Sequence, residues 1–181
     1  MTYTSLVKAD APVGYWKLNG SGAATIGSAA SVSSPSWTSL PLVANSGSAL
    51  IVKPSGASVS IYNSYSAFYK RYEKKTFSIE FWFSFNGMLD GSGYLKNRDS
   101  NFQYLNNKKL NIVSIVNGST EIGSIFYDYK RNTFRFRING TNSYDAYIPV
   151  RNLSTSFYIV ATYSNGGLRI FVNGQPGHTG Y

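Results

Sequence analysis

The sequence predicts an all-β sandwich, and three observations carry that expectation. Short segments alternating apolar and polar residues recur along the chain, with turn signals at a spacing of roughly 8–12 residues. Aromatic residues make up 16% of the 181, Tyr alone supplying 15, and Ser, Thr, Asn and Gly fill much of the remainder, a mixture that favours strands and turns over helices. One stretch alone has the spacing of a helix. The length suits a single domain, 1–181, with room for a core.

From the N-terminus, Pro12 to Gly20 (PVGYWKLNG) reads as a short strand stopped at Asn19-Gly20. Residues 20–48 are poor in charge and rich in Ser, Ala and Gly, which predicts long loops around a weak strand at PSWTSLPLV. SALIVKPSGASVSIYN predicts two short strands about the turn Pro54-Ser55-Gly56. Tyr65, Phe68, Tyr69 and Tyr72 recur at helical spacing behind Ser64 as N-cap, so a short helix is expected near 64–73. TFSIEFWFSF is the strongest strand. It places Phe77, Ile79, Phe81, Phe83 and Phe85 on one face and Ser78, Glu80, Trp82 and Ser84 on the other. Trp82 predicts that this second face is partly covered as well.

Residues 86–109 form a polar, basic excursion studded with Tyr and Phe. Strands resume at LNIVSIVNG, IGSIFYDYK, NTFRFRING, DAYIPV, SFYIVATYS and GLRIFVNG. Alternation turns Phe134, Phe136, Ile138, Leu168, Ile170 and Val172 inward, with the Phe77–Phe83 set. Asn173-Gly174 predicts a two-residue turn with positive φ at Gly174. A hairpin needs a second strand, yet only QPGHTGY follows.

Lys plus Arg number 17 against 8 for Asp plus Glu, a net charge of +9, which favours acidic partners and says nothing of fold. Cys is absent, so disulfide scaffolds and thiolate metal sites are excluded. The N-terminal stretch has no long apolar run behind a basic region and predicts no secretory signal. No segment approaches the ~20 apolar residues of a membrane helix.

DAPVGYWKL, FSIEFWFSF and FYIVATYSNGGLRIFVNGQP, in this order, resemble the hallmarks of laminin G-like domains, of the concanavalin A-like lectin/glucanase superfamily. That family opens on a YWRL-like strand, carries a central FTIEAWV-like strand and ends on a HVAATYDGGTLRLYVNG-like hairpin. NTFRFRINGTNSY fits the strand before that hairpin, and SALIVKPSGASVSI fits an ALSFDGxxxYVSI-like pair without its Asp. The resemblance spans nearly the whole chain, and the last hairpin is its most specific part. It implies a jelly roll of two curved antiparallel sheets. Two departures accompany it. GSGAATIGSAAS stands where the family has an Asp-rich turn, and the family's closing strand, which pairs near the first one, is missing. The resemblance therefore predicts a domain without its closing C-terminal strand, either continued past Tyr181 or completed by a neighbouring chain.

Catalysis is not expected. Retaining glycoside hydrolysis needs two carboxylates about 5 Å apart, and the strand of Glu80 offers no second acid at i+2 or i+4. A single histidine, His178, without Cys cannot build a zinc site, and hydrolytic triads lack a supported base. Asp90 and Asp99 could lend oxygens to Ca2+, but they read first as turn formers, and no cofactor is expected. The excursion 87–109 is the expected binding surface. Tyr94, Phe102 and Tyr104 could stack on sugar faces, while Asn101, Asn106 and Asn107 could hydrogen-bond hydroxyls. A packing arm on a neighbouring subunit is the equal alternative. Arg135, Arg137 and Arg169 should point away from the core, and they make a basic stripe on one outer face if their strands are neighbours. A solubilising surface is the rival reading. No recognition helix or basic aromatic motif points to specific nucleic-acid binding.

The functional expectation is a non-catalytic binding and structural module of a virus particle, a tail or fibre component of a tailed phage. Its place is the virion, and its partners are other virion proteins, copies of itself or host surface polysaccharide. Laminin G-like modules resembling this one recur in phage structural proteins, often with a similar ADxPVxYWRL-like opening, and a phage protein leaves its host by lysis without an export signal. This is family-level analogy. An extracellular carbohydrate-binding adhesion module of a cellular protein is the alternative, and a glycoside hydrolase the distant one.

Overall fold

The structure is a computed structural model and describes residues 3–10, 15–17, 21, 23–26, 31–33, 36–38, 49–51, 58–60, 76–85, 109–117, 119–138, 145–164 and 166–180. The chain divides into two compact units, Met1–Lys74 and Lys75–Tyr181. In the first, helix α1 (Tyr3–Ala9) precedes six short strands: β1 (Tyr15–Trp16), β2 (Ala24–Ile26), β3 (Ser31–Ser33), β4 (Ser36–Thr38), β5 (Ala49–Ile51) and β6 (Ser58–Ser60). They pair antiparallel as β1–β2, β3–β6 and β4–β5. The two strands about Pro54-Ser55-Gly56 thus pair with earlier strands and not with each other. Helix α1, β2 and β3 carry little signal in the sequence. Strands of three residues leave almost no alternation to read, and a seven-residue helix makes only about two turns. The helix expected near 64–73 lies outside the described residues.

The second unit holds β7 (Thr76–Ser84), β8 (Lys109–Asn117), β9 (Thr120–Asp128), β10 (Thr133–Ile138), β11 (Ala146–Pro149), β12 (Ser156–Ser164), β13 (Gly167–Val172) and β14 (Gln175–Pro176). They form two four-stranded antiparallel sheets, in the orders β11-β10-β9-β8 and β14-β13-β12-β7. The fold is all-β, and α1 is the one helix among the described residues. No helix among them is long and apolar enough to cross a membrane.

The inner faces of the two sheets meet in an aromatic core. The Phe134 ring lies 5.0 Å from Phe157 and 5.9 Å from Phe85, and Phe77 meets Phe136 edge-on at 6.4 Å. Tilted and edge-to-face pairs of this kind let the ring quadrupoles attract while the rings exclude water. Phe77, Phe134, Phe136, Ile138, Leu168, Ile170 and Val172 are buried, as the alternation requires. Ile79, Phe81 and Phe83 share that face but are half-buried. Among the described residues β7 ends its sheet, so these side chains have a lateral neighbour on one side only.

Asn173 and Gly174 form the tight turn between β13 and β14, with φ of 51° and 78°. The Asn173 amide donates to Tyr158 O at 2.8 Å, and its Oδ1 accepts from the Tyr158 amide at 2.8 Å, so the turn is latched to β12. The tail beyond it, so short in sequence, is a seam. Val172 pairs with Gln175 and Phe171 with Pro176, and the Gly177 amide donates to Ile170 O at 2.8 Å. On its other side the tail pairs with β11. His178 N donates to Tyr147 O at 2.8 Å and Tyr147 N to His178 O at 3.1 Å. Gly180 then exchanges both bonds with Leu168, at 3.0 and 2.8 Å. Residues 175–180 thereby connect the edge of one sheet to the edge of the other.

Candidate binding face

Strand β10 places Thr133, Arg135 and Arg137 on the outer face of its sheet, because Phe134 and Phe136 take the inner one. Across the ladder, Thr133 faces Asp128, Arg135 faces Phe126 on β9 and Tyr147 on β11, and Arg137 faces Ser124. Asp145 directly precedes β11, one step beyond the Phe136–Ala146 pair and so beside Arg137.

These residues form an alternating charge ladder: Arg131, Asp128, Arg135, Asp145, Arg137. Arg131 Nη1 lies 3.1 Å from Asp128 Oδ2, and Arg135 Nε lies 3.3 Å from the same oxygen. Arg135 Nη1 donates to Asp145 Oδ2 at 2.9 Å. Arg137 grips Asp145 with two donors, Nε to Oδ1 at 2.6 Å and Nη2 to Oδ2 at 2.9 Å. The two carboxylates lie deep, with side chains 10% and 4% exposed, while the side chains of Arg131 and Arg137 are 62% and 47% exposed. Buried carboxylates need such partners to stay charged. The ladder also has a local origin. Asp128 Oδ1 accepts from the amides of Lys130 and Arg131 at 3.0 and 3.2 Å, closing the β9–β10 turn, which Asn132 completes at φ 50°.

Aromatic rings hold the cations in place. Lys109 Nζ and Arg137 Cζ both lie over the Phe126 ring, 4.8 and 5.5 Å from its centroid, and Phe126 is buried beneath them. Arg135 Cζ lies 5.3 Å from the Tyr147 centroid, and the exposed His178 stacks on Tyr147 at 4.6 Å. A cation over a ring face is attracted by its quadrupole. Hydrogen bonding to Asp145, with the charges of Asp145 and Glu121, raises the Arg137 pKa above its ordinary value against the opposing effect of partial burial. Burial, assisted by the Asp128 charge, pushes the Tyr127 hydroxyl up to about 12. Burial, assisted by Tyr127, does the same for Tyr129. Ser124 Oγ and the Tyr129 hydroxyl are buried without a hydrogen-bond partner among the described residues.

Arg169 stands elsewhere. It faces Thr162 on the outer side of the other sheet. The single basic stripe of Arg135, Arg137 and Arg169 is therefore not formed, because β10 and β13 belong to different sheets. Arg135 and Arg137 do share one face, but paired with Asp128 and Asp145, which the sequence reading left without a role. The signals available for them were modest: an Asp opening the DYKRN turn and an Asp leading into AYIP. On the Arg169 side, Trp82 and Tyr158 face each other across β7 and β12 with rings 5.1 Å apart. Trp82 is half-buried. The Tyr158 hydroxyl donates to Glu80 Oε2 at 2.5 Å, and Val160 occupies the position opposite Glu80. Tyr94, Asn101, Phe102, Tyr104, Asn106 and Asn107, with Asp90 and Asp99, lie outside the described residues. Among the described residues no three His, Asp or Glu side chains gather as a cation site. Comparison of the chain with protein-family models, with curated proteins and with solved structures gives no match.

Proposed function

We propose that this chain is a non-catalytic binding and structural module of a virus particle, a laminin G-like jelly roll that mediates subunit assembly, host glycan attachment or both. One observation carries the binding reading over a catalytic one: among the described residues, each carboxylate on the two outer faces is engaged by a partner. Asp128 and Asp145 are held by arginines, Glu121 accepts from the Ser114 hydroxyl, and Glu80 accepts from the Tyr158 hydroxyl, with Val160 opposite it and Ser78 and Trp82 beside it on the same face. Bond cleavage by paired acids needs a second free carboxyl about 5–10 Å away. Rigid sheet faces carrying side chains already fixed by their neighbours suit recognition, since little ordering remains for a ligand to impose. The jelly-roll topology and the virion setting rest on the sequence resemblance.

The test is to express residues 1–181 and measure self-association, association with co-purified particle proteins and retention on host surface polysaccharide. Binding to particle proteins or polysaccharide without turnover is the expected result. A protein that cleaves polysaccharide, and loses that activity on Glu80→Gln, would overturn the reading. So would a soluble monomer without affinity for any of the three.

A further inference from the structure

The outer face of the β8–β11 sheet buries Asp128 and Asp145 and displays Arg131 and Arg137. With Lys109, Arg135 and Glu121, the charges named above on this face come to four bases against three acids. Solvent meets a different balance. Side-chain exposure is 62% and 47% for Arg131 and Arg137 but 10% and 4% for Asp128 and Asp145. The carboxylates act as anchors under the guanidiniums. Asp145 occupies Nε and Nη2 of Arg137, and the Phe126 ring lies against the guanidinium, which leaves Nη1 as the nitrogen that Asp145 does not engage. Asp128 holds Arg131 by a single bond, through Nη1. Arg131, in the turn just before β10, and Arg137, one residue before its end, flank the strand and are joined through Asp128, Arg135 and Asp145.

We infer that this face recognises a linear polysaccharide carrying carboxylates, laid along β10 and gripped at its two ends by Arg131 and Arg137. The inference deepens the glycan-binding half of the function proposed above and rests on it. The planar fork matches a carboxylate with two parallel hydrogen bonds. Two cations flanking one strand, each tied to a buried carboxylate, favour a linear polymer over a globular acidic surface. A nucleic acid is disfavoured because base recognition needs free ring faces. Phe126 is buried under cations, and one side of Tyr147 is taken by His178.

The experiment titrates the full chain with polygalacturonate, with a neutral β-glucan and with single-stranded DNA of matched charge, at two salt concentrations. Polygalacturonate should bind most tightly and weaken with salt. Arg137→Gln and Arg131→Gln should each cost about tenfold in affinity, the loss of one charge-assisted contact. Arg137→Lys should lose most of the same affinity, because the charge remains but the fork is gone. Arg169→Gln, on the other sheet, should leave binding unchanged. Circular dichroism of each variant establishes that it is folded, and Arg137→Lys keeps the test open should Arg137→Gln unfold. Equal losses from Arg169→Gln would mean that net charge alone is read, and the inference falls. It also falls if DNA binds as tightly as polygalacturonate, or if Arg137→Lys keeps full affinity. Binding of the neutral glucan alone would sink the inference and leave the glycan reading standing. Binding of no polymer at all would remove both.

Discussion

Replacing Gly177 by Ala should break the seam between the sheets. A Cβ at this position would lie 2.5 Å from Tyr147 O, 2.9 Å from Ile170 Cγ2 and 3.0 Å from Ile148 Cβ. The first is backbone of β11 and the second belongs to β13, so the added methyl is squeezed from both sides. Reaching an ordinary contact of 3.4 Å from Tyr147 O means a withdrawal of 3.4 − 2.5 = 0.9 Å. The bonds from Gly177 N to Ile170 O and from His178 N to Tyr147 O, each 2.8 Å, would then lengthen beyond useful range. Overpacking costs about 1–3 kcal/mol and two weakened backbone hydrogen bonds about 1 kcal/mol each. Together about 3–5 kcal/mol is expected, which lowers the melting temperature by roughly 12–30 °C for a unit of this size. Thermal and urea unfolding of the full chain measure the loss. Hydrogen exchange should report it locally, with the amides of Tyr147 and Leu168 exchanging faster. A melting temperature within about 2 °C of the parent would refute the reasoning, since the seam would then tolerate the methyl or contribute nothing.

Gly174→Val should cost on the order of 1 kcal/mol or more, because a β-branched residue is strained at φ 78°; unchanged melting would count against the turn geometry. Asp145→Asn keeps the shape but leaves Arg135 and Arg137 short of a charge. Breaking a buried pair costs about 3–5 kcal/mol, and the exposure of Arg137 reduces this to about 1–3, read from the urea midpoint; a neutral result would mean that the ladder is ornamental. Tyr127 and Tyr129 should titrate late, near pH 12, in a tyrosinate absorbance titration. Their pKa values are raised in the folded state above the ordinary 10.0, so the stability they contribute is whole below pH 10 and is lost as the pH rises toward 12. A titration in which every tyrosine ionises near 10 would contradict their burial.

The alternation of NTFRFRING places Phe134 and Phe136 on one face and Arg135 and Arg137 on the other, because a strand has only two faces. Asn173-Gly174 was equally plain, since few other pairs accept two positive φ values in succession. What the sequence does not carry is the partner of each strand. β10 and β13 look alike in sequence, and only tertiary pairing assigns them to different sheets. Whether Arg169 joins Arg135 and Arg137 on one face depends on that pairing, which alternation alone does not state. The role of Asp145 depends likewise on the register between β10 and β11, which no local pattern states. The tail was read as an unfinished hairpin. Gly177 is small because two backbones flank it, and the second, β11, is contributed by residues some thirty positions earlier.

The seam gives the second unit the mechanics of a book. Residues 175–180 are its spine, stitched by backbone bonds to one cover through Tyr147 and to the other through Ile170 and Leu168. The opposite margins, β7 and β8, have no such stitching to one another among the described residues. Loosening the spine should therefore loosen both covers together. The buried residues nearest it, Ile148 and Ile170, should be the first whose packing registers its loss.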